Sequence, residues 1–376
     1  MKKIIIAPDS YKGSLSSIEI CGVVKDAALS VFPGLEVVEM PIADGGEGFV
    51  DAMLFSGRGT KYFAAVKDPL WRDIRANYGI LADGTAVIEM AAASGLPLLK
   101  THERNVLEAT TFGMGQLILD ALQHGCRHFI LGVGGSATND GGAGAAAALG
   151  IRYLDANRQT ITCGKDLARL TTIEVSEMVQ GLKESTFTIA CDVNNPLHGR
   201  NGAAYIYGPQ KGASPSDIEI LDRGLENLAE VIRRERQIDL QQIPGSGAAG
   251  GITAPFIAYT DAQLKSGVDI VLDSDGFDHH LQGCDLVITG EGCSDAQSGM
   301  GKALSGIARR AKPNNVPVVA ISGALTPGYE SLYEDGITAF FSTCREVSSL
   351  EDALANAKSN LRRTAEDVFR LIKTYS

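Results

Sequence analysis

The stretch KIIIAPDSYKGSLSSIEICGVVKDA, residues 3–27, decides the fold. Residues 3–7 are a short apolar, β-branched run, which suits a strand covered on both faces. Pro8 and Asp9 end that run, a polar loop continues to Leu15, and Ser16 with Glu19 three residues later makes a capping box. Ile20, Val23, Val24 and Ala27 then recur at helical spacing. Strand, polar loop and helix in that order open an α/β unit.

The same rhythm repeats once, with a strand at 36–40, a loop at 41–48 and a helix starting within 50–55. From about residue 60 to 280 strand-like runs continue (78–81, 86–90, 129–133, 186–190), but at irregular, glycine-rich spacing, as in a different domain. Near the C-terminus the α/β rhythm returns with buried-strand candidates at 286–289, 318–321 and 339–342. Five strands from the two chain ends would make one parallel sheet, since the first two alone leave open edges. Leu350, Leu354, Ala357, Leu361, Ala365, Val368 and Ile372 recur at three- and four-residue steps, predicting one last helix that covers this sheet.

At 376 residues the chain is long enough for two domains with full cores. A net charge of -11 argues against nucleic acid as a partner, because the surface repels phosphate backbones. Seven cysteines, odd in number and never in a C-x-x-C pair, point to a reducing compartment and no structural zinc. The apolar run after Met1 is too short for a signal segment and none is long enough for a membrane span, so a cytoplasmic protein without a membrane partner is expected. The sequence leaves self-association open.

Polar clusters follow the strands of the α/β part: Asp9-Ser10-Tyr11-Lys12-Gly13-Ser14, Asp44-Gly45-Gly46-Glu47-Gly48, Gly290-Glu291-Gly292-Cys293-Ser294-Asp295 and Ser322-Gly323. Open parallel sheets bind ligands at the carboxyl ends of their strands, so these clusters should converge on one crevice. Lys12 and Lys302 supply cations, and Asp44, Glu47, Glu291 and Asp295 supply carboxylates. Glycines let backbone N–H groups approach a ligand. Lysine and N–H donors hold phosphate oxygens, while carboxylates suit a hydrated Mg²⁺ that bridges phosphates. Phosphoryl transfer needs this mixture. The same residue types also cap helices and turns, which is the competing reading of each cluster taken singly.

The middle part carries Gly132-Val133-Gly134-Gly135-Ser136-Ala137-Thr138-Asn139-Asp140-Gly141-Gly142, a formal match to G-x-G-x-x-A with Asp155 about 20 residues on. A dinucleotide site needs a helix starting inside the motif, whereas helix formers begin only near Ala143. An anion or substrate loop fits better. Asp192, Asn194 and Asn195 after a strand could orient a substrate hydroxyl, or form an Asn-Pro turn. Neither Walker A nor protein-kinase motifs are present, and the six histidines lack metal-ligand spacing.

Together these stretches resemble the bacterial type of glycerate kinase along nearly the whole chain. The likeness rests on the segments 7–15, 43–48, 88–96, 134–142, 192–197, 208–213 (Gly-Pro-Gln-Lys211-Gly-Ala) and 289–292. The resemblance implies ATP and Mg²⁺ as cofactors, D-glycerate as substrate and 2-phosphoglycerate as product. It also implies an α/β protein with a flavodoxin-like domain from both chain ends, 1–58 and 284–376, and an inserted α/β domain, 59–283. The expected site lies in the cleft between domains. Asp192, Asp44 and Lys12 are its catalytic candidates, with Asp192 or Asp44 receiving the acceptor proton. Ser14, Ser136, Asn139, Asp140, Asn194 and Lys302 are the substrate and phosphate contacts, Gly45, Gly46, Glu47, Gly290 and Gly292 the nucleotide contacts, and Glu291 and Asp295 the metal ligands. Two departures stand out: Cys293 and Ser298 replace the family's usual arginine and threonine, and Ile252-Thr253-Ala254-Pro255 follows Gly251 instead of a glycine-rich turn. The rival readings are a kinase homologue that binds a hydroxy acid without turnover or acts on an altered substrate, and an NAD-dependent dehydrogenase using the Gly132 stretch.

Overall fold

Five strands from the two chain ends pair in the order Ile337–Ser342, Val318–Ser322, Leu286–Thr289, Lys3–Ile6, Glu36–Glu39, and every neighbouring pair is parallel. The structure, a computed structural model, describes residues 1–295 and 303–375. Ile4, Ile5 and Ile6 are fully buried, as a doubly covered central strand requires. Each such side chain contributes about 1.5–3 kcal/mol of burial. The helix Ser17–Val31 opens on the capping box expected from sequence, Glu19 N–H donating to Ser16 Oγ at 3.2 Å and Ser16 N–H to Glu19 Oε2 at 2.9 Å. Its Ile20, Val24 and Ala27 join Ile4, Ile6, Ile288, Ile321, Leu361 and Phe369 in one apolar core.

The last helix differs from expectation. The segment 350–372 forms two helices, Leu350–Ala355 and Ala357–Tyr375, separated at Asn356. Leu361, Ala365 and Val368 face the core as the spacing predicts, but Leu350 is 75% exposed and Leu354 38%. Apolar periodicity runs unbroken across Asn356, so the sequence reads as one stripe although the backbone turns.

The second sheet has six strands, ordered Asp261–Lys265, Thr186–Ala190, His128–Gly132, Ala86–Glu89, Asp73–Leu81, Gly59–Lys67. The first four are parallel and the last two join antiparallel. All four strand-like runs read in this region fall in the inner strands. The edge strand Asp261–Lys265 alternates exposed and half-buried residues with polar side chains, so no apolar run announces it, whereas Gly59–Lys67 carries the run 62–66 that the sequence reading passed over. An antiparallel pair, Arg152–Asp155 with Leu170–Glu174, stands apart from the main sheet.

The chain divides into two compact units, 1–44 with 266–376, and 45–265. The helix Phe49–Leu54 belongs to the second, where Leu54 fills the space beside Gly79. Gly267–Ser274 belongs to the first, where Asp273 and Asp278 pair with Arg310 at 2.8 and 2.7 Å. Among the described residues no helix is long and apolar enough to cross a membrane.

Candidate active site

In the first unit the loops after the five parallel strands surround a cavity of about 660 Å³. Asp9, Lys12, Ser14, Asp44, Glu291 and Gly292 form its polar end, while Leu350, Ala353, Leu354 and Ala357 form an apolar wall. Backbone bonds lock the loops together: Asp9 N–H donates to Gly290 O at 2.8 Å, Gly323 N–H to Glu291 O at 3.0 Å, and Thr343 N–H to Ser322 O at 2.8 Å. The buried Tyr11 hydroxyl adds a bond to Ile321 O at 2.6 Å. Gly290 must be glycine here, since a Cβ would collide with the Ile321 carbonyl oxygen.

Lys12 Nζ lies 3.9 Å from Asp44 Oδ2. Burial pushes the Asp9 carboxyl up to about 7, and repulsion from Asp44 and, more weakly, Glu291 adds to it, while the Ser10 N–H bond and Lys12 oppose. Glu291 accepts from Ser294 Oγ at 3.0 Å, and that hydroxyl is 2.8 Å from Ser322 Oγ. Asp9, repelled by Asp44 and Glu291 and lying beside Lys12, belongs to a donor set that a hard divalent cation would relieve. Among the described residues no three or more acidic, histidine or cysteine side chains group tightly enough to enclose a metal by themselves. Mg²⁺ commonly takes one or two carboxylates and completes its shell with water and phosphate.

Asp295 is outside the lining of this cavity, and Lys302 and Ser298 lie outside the described residues. Gly45, Gly46 and Glu47 belong to the second unit. There Gly134 N–H donates to Gly45 O at 3.0 Å. Gly45 has φ +84° and leaves no room for a side chain, because a Cβ would sit 2.8 Å from Ala190 Cβ. This contact sets the 45–47 loop against the strand that leads into half-buried Asp192 and exposed Asn194.

The 134–142 loop lies in the same unit. Ser136 bridges to Gly95, Ala137 N–H donates to Ser94 O at 2.9 Å, and Gly141 N–H to Gly250 O at 2.9 Å. The helix starts at Ala143, after the turn, so the geometry of a dinucleotide motif is not formed. Asp140 is fully buried, and its carboxylate accepts from Thr111 N–H and Oγ at 2.8 Å each and from Gly142 and Gly144 N–H at 3.1 Å. Asp140 therefore holds the loop in shape.

The sequence reading gave no role to Asp9, Lys211, Leu350 or Leu354. The pairing of Ser349 with Asp352 signals a helix start at Leu350. No sequence signal shows that the following leucines border a cavity.

A sequence model of the glycerate kinase family matches residues 4–373. The chain is 45% identical to the glycerate 2-kinase of Escherichia coli K12, covering 97% of each protein. It is 44% identical to a glycerate kinase of Bacillus cereus, covering 100% of this chain and 99% of that one. A crystal structure from Salmonella typhimurium LT2, described as a glycerate kinase 2, superposes with a TM-score of 0.88 at 43% identity over 99% of this chain and 98% of that one.

Proposed function

Since the chain belongs to the glycerate kinase family, we propose that it transfers the γ-phosphoryl group of ATP to D-glycerate, giving ADP and 2-phosphoglycerate. The observation that carries the nucleotide half of this reading is the two-ended cavity of the first unit: Lys12 among acidic side chains at one end, Leu350 and Leu354 at the other. A nucleoside triphosphate has the same polarity, with charge at one end and a flat apolar base at the other, and about 660 Å³ is a usual size for a small-molecule site.

In this reading Lys12 takes a phosphate oxygen, and the glycine-flanked loop at Gly290 and Gly292 lets phosphates come close to the backbone. Asp44 and Glu291 would hold Mg²⁺, which supplies neutralisation of phosphate charge. The acceptor binds the second unit, where Asp192 takes the proton of the attacking hydroxyl. Transfer requires the bound donor and acceptor to meet. The protein works in a reducing cytoplasm, where its seven free cysteines remain thiols.

The test is direct. Purified protein with ATP, MgCl₂ and D-glycerate is followed by ³¹P NMR, with ATP alone as blank. ADP and a phosphomonoester at the 2-position are expected. A 3-phosphoglycerate product would refute the regiochemistry, and no ADP above the blank would refute the substrate.

A further inference from the structure

We propose that Lys211 is the substrate-binding residue that recognises the carboxylate of the acceptor, in a buried polar pocket that it forms with Ser136, Thr138 and Asn139. This deepens the kinase reading above and rests on it for the identity of the acid.

The residues of the proposed pocket all lie in the second unit. Lys211 ends the short turn Pro209–Lys211 and is 2% exposed. Its Nζ donates to Ser136 Oγ at 2.8 Å and to Thr138 O at 2.6 Å, both neutral acceptors. An ammonium carries three hydrogens, so these two bonds leave one donor. The charged group that Lys211 feels is Asp140, whose oxygens are engaged by Thr111, Gly142 and Gly144. A buried ammonium with neutral partners is an incomplete ion pair, costly until an anion joins it.

A second observation points to a ligand independently. Thr138 Oγ, both Asn139 side-chain atoms and Ser94 Oγ are buried without a hydrogen-bond partner in the protein. They belong to the strands of loop that Ser136 and Ala137 hold against Ser94 and Gly95. Buried polar atoms in folded proteins almost always have partners, so such a concentration marks a place completed by water or by a small polar molecule. Its chemistry fits a short hydroxy acid. The ammonium and the Asn139 amide N–H groups suit a carboxylate, and the hydroxyls and the Asn139 carbonyl suit alcohol groups. Burial also lowers Lys211 to about 7, so a bound carboxylate would restore its proton.

Two measurements test this. Lys211→Met is assayed with D-glycerate and with the uncharged glyceramide, beside wild type. The expected result is a KM for D-glycerate raised on the order of 100-fold, an unchanged KM for ATP, and loss of the preference for acid over amide. Calorimetry of wild type at mildly alkaline pH in buffers of different ionisation enthalpy is the second measurement, and it does not depend on the variant folding. D-glycerate binding should take up a fraction of a proton, and glyceramide binding should take up none. A variant that keeps its acid preference with KM within threefold, or equal proton uptake for acid and amide, overturns the proposal. If wild type turns over glycerate while Lys211→Met behaves like it, the kinase reading stands and the carboxylate site falls. If glycerate binds with Lys211-dependent proton uptake but no ADP forms, the site stands and the kinase reading falls. Wild type that neither binds nor turns over glycerate removes both.

Discussion

Lys12 and Asp44, from the loops after two adjacent parallel strands, face each other with Nζ 3.9 Å from Oδ2, and the lysine side chain is 81% exposed. At that length and exposure the pair adds little to stability. The lysine remains available to a ligand. Lys12→Met should leave the melting temperature almost unchanged and lower kcat by about 100- to 1,000-fold, the usual loss when one charge-stabilising donor is removed. Lys12→Arg should recover part of that loss. Turnover within threefold of wild type in the methionine variant would take the phosphate away from Lys12.

The apolar wall makes a separate prediction. Leu354 is partly exposed at the cavity, so Leu354→Asp should fold. It should raise the KM for ATP about tenfold by putting a charge where the base would lie. The KM for D-glycerate should stay the same if, as proposed, that substrate binds the other unit. Equal changes in both constants would mean that the wall does not contact the nucleotide.

Cys293 and Cys344 are exposed, the other cysteines are buried or half-buried, and both exposed thiols line the cavity. A maleimide should therefore label these two first, and ATP with Mg²⁺ should slow the labelling, read by peptide mass spectrometry. Labelling rates that ignore ATP would place the nucleotide elsewhere. Cys293→Arg should raise kcat if a cation at that place steadies the transferring group.

The sheet of the first unit was legible because its strands are buried on both faces and so appear as plain apolar runs, such as Ile4 to Ile6 and Leu286 to Thr289. The edge strand Asp261–Lys265 of the second sheet was not, since it exposes alternate polar residues and reads as loop. Placement of Asp9, Lys12, Asp44 and Glu291 around one cavity follows from strand topology, which sequence order already implied. Lys211 was hidden for a different reason. A lysine in a glycine- and proline-rich turn looks solvated, and its burial depends on the 134–142 loop folding over it from far away in sequence.

The last prediction concerns pH and the second unit. Glu89 accepts from Val50 N–H at 2.6 Å. Burial, with help from Asp51, raises its carboxyl to about 7. Between about 4.5 and 7 the folded state thus holds a proton that the unfolded chain has released, so this group makes stability fall as pH rises through that window. Lys211 acts with the opposite sign in a higher window. Its folded form loses a proton near 7, while the unfolded chain keeps it to about 10.5, so stability rises with pH between those values. Urea midpoints of wild type, Glu89→Gln and Lys211→Met should therefore separate. Glu89→Gln should gain on wild type as pH goes from about 5 to 7, and Lys211→Met should lack the rise seen in wild type from about 7 to 10. Each difference should be on the order of a kcal/mol per pH unit within its window. Parallel curves for wild type and Lys211→Met above pH 7 would mean that the lysine stays charged when buried, with a partner other than the two neutral oxygens it touches.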